Sequence, residues 1–276
     1  MAAKIPSREE IAVQKGLIGI FDSGLGGLSI AKEVRKILPS EDILYIGDCG
    51  RAPYGDKTES FVIERVLKIS DFFIKHNAKA IVIACNTATA AAIDLLRTKV
   101  TIPVVGVEPA LKPAVLNTKT GAVGVMATTR TISSERYKKL LNTYNPDNKV
   151  KVVSMKCSGL MNCVENGAWD NPETLALIEK YTKPIKEANA DFVVLGCTHY
   201  PFLKKQISNA LGPNVVVYDP SPAVAKQVLH QLTKLESLEK DKVGTDRILI
   251  TELTKKNQEI INLLWDHAIE AENLEI

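Results

Sequence analysis

IVIACNTATA, residues 81–90, decides the fold: a β-branched apolar run ends at a cysteine, and the chain then passes through Asn-Thr into an alanine-rich helical segment. The same succession of strand, cysteine, polar turn and helix returns at FVVLGCTHYPFL, residues 192–203. Parallel strands with crossover helices have this appearance in sequence. Outward from the first motif, LIGIF (17–21) leads through a glycine-rich turn into a helix near 27–37. ILYIG (43–47) leads through a proline-containing loop into one near 58–76, and VVGV (104–107) closes the set. AVGVM (122–126), VKVVSM (150–155), FVVLG (192–196) and VVVY (215–218) form a second set.

The two sets match in order and spacing. GIFDSG (19–24) precedes IACNTA (83–88) as GVMATT (124–129) precedes VLGCTH (194–199); Asp22 lies 63 residues before Cys85, and Thr128 lies 69 before Cys197. The expected architecture is α/β: two similar domains with mainly parallel central sheets flanked by helices and an active site in the interdomain cleft. Residues 109–218 form the second domain, and residues 1–108 plus 219–276 form a discontinuous first one. Helical patterns from Asp219 to about Ser237 and near 254–268 return to that first domain. LEKDKVGTD (238–246), charged and without apolar period, reads as an exposed connector.

Composition narrows the function. The 276 residues carry a net charge of +3, with 45% hydrophobic, 24% charged and 5% aromatic residues, ordinary usage for a globular enzyme. So diffuse a positive charge with so few aromatic residues gives no footprint for nucleic acid. No apolar run reaches the roughly 18–20 residues of a membrane helix, and MAAKIPSREE lacks a signal peptide's hydrophobic stretch, so a cytoplasmic protein is expected. Five cysteines at irregular spacing do not form a disulfide framework. Cys157 and Cys163 have no second His or Cys cluster beside them, so no metal is expected; with Cys49 they read as structural. His76, His230 and His267 fall in helical stretches and read as surface or core residues.

Cys85 and Cys197 each stand where a strand gives way to a helix, the sheet edge at which ligand sites gather. The positive end of the following helix is expected to lower the thiol pKa toward neutrality. The alternative is a pair of inert core cysteines. Inverting a carbon centre by proton transfer needs a base on one face and an acid on the other, and two thiols from facing halves supply both. FDSGLGG (21–27) completes neither a GxxxxGK[ST] nor a GxGxxG pattern, so no cofactor is expected; its backbone N–H groups suit a carboxylate. Asp22 and Ser23 suit a substrate ammonium, or else a turn. Asn86, Thr87 and Thr198 suit a carboxylate, or else serve as caps. His199 stands ready to tune Cys197, or is a satisfied structural histidine. In RAPYGDK (51–57), Pro53 and Gly55 fix a turn, and Tyr54 either closes over a substrate or belongs to a plain loop.

FDSGLGGLS, GDCGRAPYG, IACNTATA, VGVEPA and LGCTHYPFL occur in the order found in glutamate racemases, and the chain resembles that group of the aspartate/glutamate racemase family from about Leu17 to beyond Ser221. The resemblance implies cofactor-independent racemization of L-glutamate to D-glutamate for peptidoglycan synthesis, and a homodimer. It implies Cys85 and Cys197 as the acid/base pair with Asp22 and His199 as helpers. Ser23, Tyr54, Gly55, Asn86, Thr87, Thr128, Thr131 and Thr198 correspond to substrate-binding positions, and Glu165 in VENG to an acidic position near the site. The turn Ala127-Thr128-Thr129-Arg130-Thr131 departs from the pattern, because Arg130 is too bulky for a backbone that needs positive φ. Cys49-Gly50 also departs from the commoner pattern before RxPYG, and the first 16 residues carry no clear motif. Racemization of aspartate or another amino acid on the same scaffold is the nearest rival reading, and a non-catalytic amino-acid-binding protein is the rival from a different class.

Overall fold

Every strand pairing in the computed structural model, which describes residues 16–276, is parallel, and the strands divide between two sheets. The first contains β1 (Leu17–Asp22), β2 (Ile43–Gly47), β3 (Ala78–Ile83) and β4 (Val104–Gly106) in the order β2-β1-β3-β4. The second contains β5 (Ala122–Ala127), β6 (Lys151–Lys156), β7 (Phe192–Gly196) and β8 (Val216–Tyr218) in the order β6-β5-β7-β8. The order is the same in both, so β1 corresponds to β5 and β3 to β7. This is the repeat seen in the sequence, now as topology. The motif-poor segment 1–15, with the signal-peptide question, lies outside the described residues.

Helices cover both faces. They are α1 (Leu28–Ile37), α2 (Glu59–Lys75), α3 (Asn86–Lys99), α4 (Leu111–Asn117), α5 (Thr129–Ser133), α6 (Glu135–Tyr144), α7 (Leu160–Glu165), α8 (Pro172–Glu187), α9 (Lys204–Leu211), α10 (Ser221–Lys234) and α11 (Lys255–Trp265). Alternation along the strands sorts the core. Ile18 and Ile20 of β1, with Ala80 and Val82 of β3, pack with Leu28 and Val34 of α1, Val224 and Val228 of α10 and Ile261 of α11. Phe21, Ile81 and Ile83 point the other way, onto Val62, Val66, Ile69 and Phe73 of α2 and Ile93 and Leu96 of α3. Each such Val, Leu, Ile or Phe side chain contributes about 1.5–3 kcal/mol on burial, so apolar packing on both faces holds the sheet between its helices. No helix among the described residues is long and apolar enough to cross a membrane.

The last part of the chain corrects the reading of 238–246 as a connector throughout. Asp246 opens β9 (Asp246–Ile250), which pairs with β2, and β10 (Ala271–Asn273) pairs with β9 at the edge of the first sheet. The segment before Asp246 is tied down: Gly244 N–H donates to Pro39 O at 3.0 Å and Glu239 N–H to the Glu41 carboxylate at 2.9 Å. Glu41 also pairs at 2.6 Å with Lys79, whose ammonium donates to Ser237 O at 2.5 Å; the two buried side chains fasten the returning chain to β3. The final helix ends at Trp265, short of 268, because Asp266 takes a left-handed φ of 68°. His76, at the end of α2, stacks on Phe72, and His267 lies past the end of α11.

Candidate active site

The carboxyl ends of β1 and β3 face those of β5 and β7, which is where an α/β sheet presents its ligand-binding edge. Asp22 ends β1, Cys85 follows β3 by two residues, Thr128 follows β5 and Cys197 follows β7 directly. The halves meet through buried and half-buried polar contacts. Ser29 Oγ donates to Thr198 O at 2.9 Å, Thr198 Oγ1 to Asp22 Oδ2 at 3.3 Å, and the hydroxyls of Thr87 and Thr128 pair at 3.3 Å. Asp22, Ser23, Tyr54, Gly55, Cys85, Asn86, Thr87, Thr128, Cys197, Thr198 and His199 surround one chamber of about 20 Å³, together with Met161. That space holds about one water molecule.

On the first-half side, Cys85 caps α3, its sulfur accepting from Ala88 N–H at 3.4 Å while its thiol reaches Ser23 Oγ at 3.7 Å. Burial pushes this thiol up in pKa, with Asp22 adding to the rise and the Ala88 N–H opposing it. The expectation that the helix end would bring it toward neutrality fails because desolvation of a buried thiolate outweighs one oriented N–H. Asp22, fully buried, accepts from Gly27 N–H at 2.7 Å. Burial lifts its carboxyl above the ordinary range against the pull of His199. Its Oδ1, and both amide atoms of Asn86, are buried without a hydrogen-bond partner. Unpartnered polar atoms in a chamber wall are costly unless a ligand engages them, and an acceptor beside an amide suits an amino acid.

Cys197 is built differently. It enters a turn and then a 3-10 helix (Tyr200–Leu203) before α9, so it does not cap a helix as Cys85 does. Its neighbour is His199, whose Nδ1 lies 3.6 Å from its sulfur and whose Nε2 lies 2.6 Å from Glu165 Oε1. Burial works against charging the imidazole, but bonds to Cys197 and Glu165 outweigh it and hold the pKa well above the usual histidine range. Glu165 also accepts from Leu25 N–H at 2.7 Å. The carboxylate cradled by the glycine-rich turn is therefore a side chain of the protein itself.

Several expected residues stand elsewhere than anticipated. Thr131 does not line the chamber: its hydroxyl pairs at 2.9 Å with that of Thr128, which caps α5 by accepting from Thr131 N–H. Glu165 stands behind His199, outside the lining. Tyr54 lines the chamber but is buried, its hydroxyl donating at 2.6 Å to Asp48, so it is part of the wall and no mobile cover. Arg130 needs no positive φ, because it sits inside α5; its side chain crosses to the first half and donates to the carbonyls of Gly55 and Lys57. Met161 went unforeseen, since one methionine in a short apolar helix reads as core. Asp48, which holds Tyr54, was also missed, although it follows β2 much as Asp22 ends β1. All five cysteines are free, and no group of three or more His, Cys, Asp or Glu among the described residues is arranged to hold a metal.

Comparison with known proteins agrees with this geometry. A glutamate racemase of Pseudomonas syringae pv. tomato is 46% identical over 218 residues, 79% of this chain and 78% of that protein. The crystal structure of a glutamate racemase isoform from Bacillus anthracis superposes with a TM-score of 0.87 at 32% identity, covering 95% of this chain and 98% of that one. That of a glutamate racemase from Francisella tularensis in complex with D-glutamate gives a TM-score of 0.84 at 31% identity, with the same coverage. Residues 30–228 match the Asp/Glu/hydantoin racemase family, and on the repeated topology, the paired thiols and these similarities the chain belongs to that family.

Proposed function

We propose that the chain racemises glutamate without a cofactor, exchanging the α-proton between Cys85 on one face of the substrate and Cys197 on the other. The observation that supports this most is the single chamber walled by both sulfurs, each contributed by its own half. One sulfur, as thiolate, takes the α-proton; the C–H electron pair moves into the carboxylate as an enediolate; the opposite thiol returns a proton to the carbon. The net charge of the pair is unchanged, and the reverse reaction uses the same groups with roles exchanged. Asp22 accepts the substrate ammonium with its unpartnered Oδ1 and, with Ser23, orients Cys85. His199 supplies and retrieves a proton beside Cys197. Asn86, Thr87, Thr128 and Thr198 bind the carboxylates, Tyr54 and Gly55 form the wall, and Thr131 and Glu165 position Thr128 and His199.

The product is D-glutamate for peptidoglycan. With the activity go a cytoplasmic location, a homodimer, and two domains divided as 1–108 plus 219–276 and 109–218. Light scattering on purified protein tests the dimer. The activity is tested by incubation with L-glutamate, D-glutamate and L-aspartate in D2O without added cofactor. Loss of optical rotation with α-deuterium incorporation from both glutamate enantiomers is expected. Exchange with aspartate alone would reassign the substrate, and no exchange would leave a binding protein.

A further inference from the structure

We infer that Arg130 is a latch that holds the two halves closed over the chamber, a positioning residue whose release admits and discharges the substrate. This rests on the racemase reading for its substrate but on geometry for its action. A chamber of about 20 Å³ cannot take up an amino acid in this arrangement, so the facing edges must part. Two outer hollows flank it, one of about 420 Å³ beside α3, α5 and α6, the other of about 130 Å³ beside α7. Gly55 borders the chamber and both hollows, and is thus the point at which the rim is shut.

Arg130 fastens that point. Its Nε donates to Gly55 O at 3.3 Å and its Nη2 to Lys57 O, so one planar guanidinium on α5 spans two carbonyls of the opposing 3-10 turn (Tyr54–Asp56) and the residue after it. A charged donor strengthens such bonds, and the fork geometry makes both together. Because the acceptors are backbone carbonyls, the latch does not depend on the protonation of any side chain. Arg130 makes no ion pair among the described residues, so nothing else competes for it in the closed arrangement. It differs in this from its neighbour Arg136, which is bound at 2.9 Å to Asp94 and also to Glu108. A latch of this kind changes the population of the closed state and leaves the reacting atoms alone.

The experiment compares wild type, Arg130→Ala and Arg130→Lys. Because the latched, empty form must open before glutamate can enter, loss of the charge-assisted pair should lower KM for glutamate about tenfold in Arg130→Ala, with kcat changed by less than about threefold and Arg130→Lys intermediate. In parallel, hydrogen exchange without substrate should be faster at the Asp56 and Lys57 amides in Arg130→Ala and unchanged in β1 and β3, which controls for global unfolding. Equal KM and equal exchange in all three proteins would overturn the latch. So would a collapse of kcat at constant KM, which would put Arg130 in the chemistry. If wild type leaves glutamate untouched, the activity reading fails by itself and the exchange comparison alone decides the latch.

Discussion

Glu165 Oε1 lies 2.6 Å from His199 Nε2, and the same oxygen accepts from Leu25 N–H of the opposite half at 2.7 Å. The carboxylate that charges the histidine is thus held by the glycine-rich turn across the cleft. The same oxygen thus contributes to the raised pKa of His199 and joins the two halves.

Glu165→Gln tests that link by pH. His199 has a folded pKa raised above its unfolded value of about 6.5, so its contribution to stability is fully present below that pH and is lost as pH rises through the folded value. Removing the carboxylate lowers the folded value. The alkaline limb of the rate profile should therefore move to lower pH, and the stability deficit of the variant in urea should be largest below pH ~6.5 and shrink above it. Superimposable alkaline limbs would mean that the charge on His199 plays no part.

The thiols are tested separately. A serine hydroxyl is far too weak an acid to exchange protons with carbon, so Cys85→Ser and Cys197→Ser should each lower kcat/KM by at least about 10³, within or beyond the range of a lost general acid or base. Calorimetry should still detect glutamate, because the groups proposed to hold its carboxylates are untouched. With one face intact, each variant retains slow α-deuterium exchange from one enantiomer and not the other. Wild-type inversion in either variant would remove that sulfur from the reaction.

What the sequence displayed was what period and residue type encode. Short β-branched runs gave all eight strands of the repeated unit, and the matched Cys85 and Cys197 turns pointed to one edge. β9 and β10 escaped because DRILI follows a charged connector and opens on two charged residues, and AEN is short, polar and mostly exposed, so neither presents a bounded apolar run. The thiol environment escaped for a different reason. Whether a helix end or desolvation governs Cys85 depends on how completely the opposite half covers it, and no local window contains that contact. Arg130 was read against the conformation of a local turn, whereas its contacts are to Gly55 and Lys57, more than seventy residues away.

Asp48 should prove a structural keystone beneath the loop that carries Tyr54 and Gly55. Its carboxylate accepts from Arg65 Nε and Nη2 at 2.9 Å, from Thr251 Oγ1 at 2.9 Å and from Tyr54 at 2.6 Å, with the Asp48 side chain fully buried and that of Arg65 6% exposed. Asp48→Asn leaves a buried guanidinium uncompensated and should cost about 3–5 kcal/mol in urea denaturation. Tyr54→Phe, which removes one of four donors, should cost only about 1 kcal/mol. Equal small losses in both would show the network to be dispensable.

Gly26→Ala probes how closely the first half must approach the second. A Cβ at this position would overlap the His199 imidazole, with ring carbons Cγ and Cε1 at 2.6 Å. The ring cannot retreat freely, because it is buried and anchored to Glu165, so either His199 swings off Cys197 or the halves separate slightly. Overpacking of this size costs about 1–3 kcal/mol, too little to unfold a domain of ordinary stability. A displacement of an ångström at a group proposed to transfer protons, by contrast, lowers turnover by about 10². The expected result is a folded variant, a few degrees lower in melting temperature, with its loss concentrated in kcat/KM; full activity would mean that the turn and the histidine need not meet during turnover.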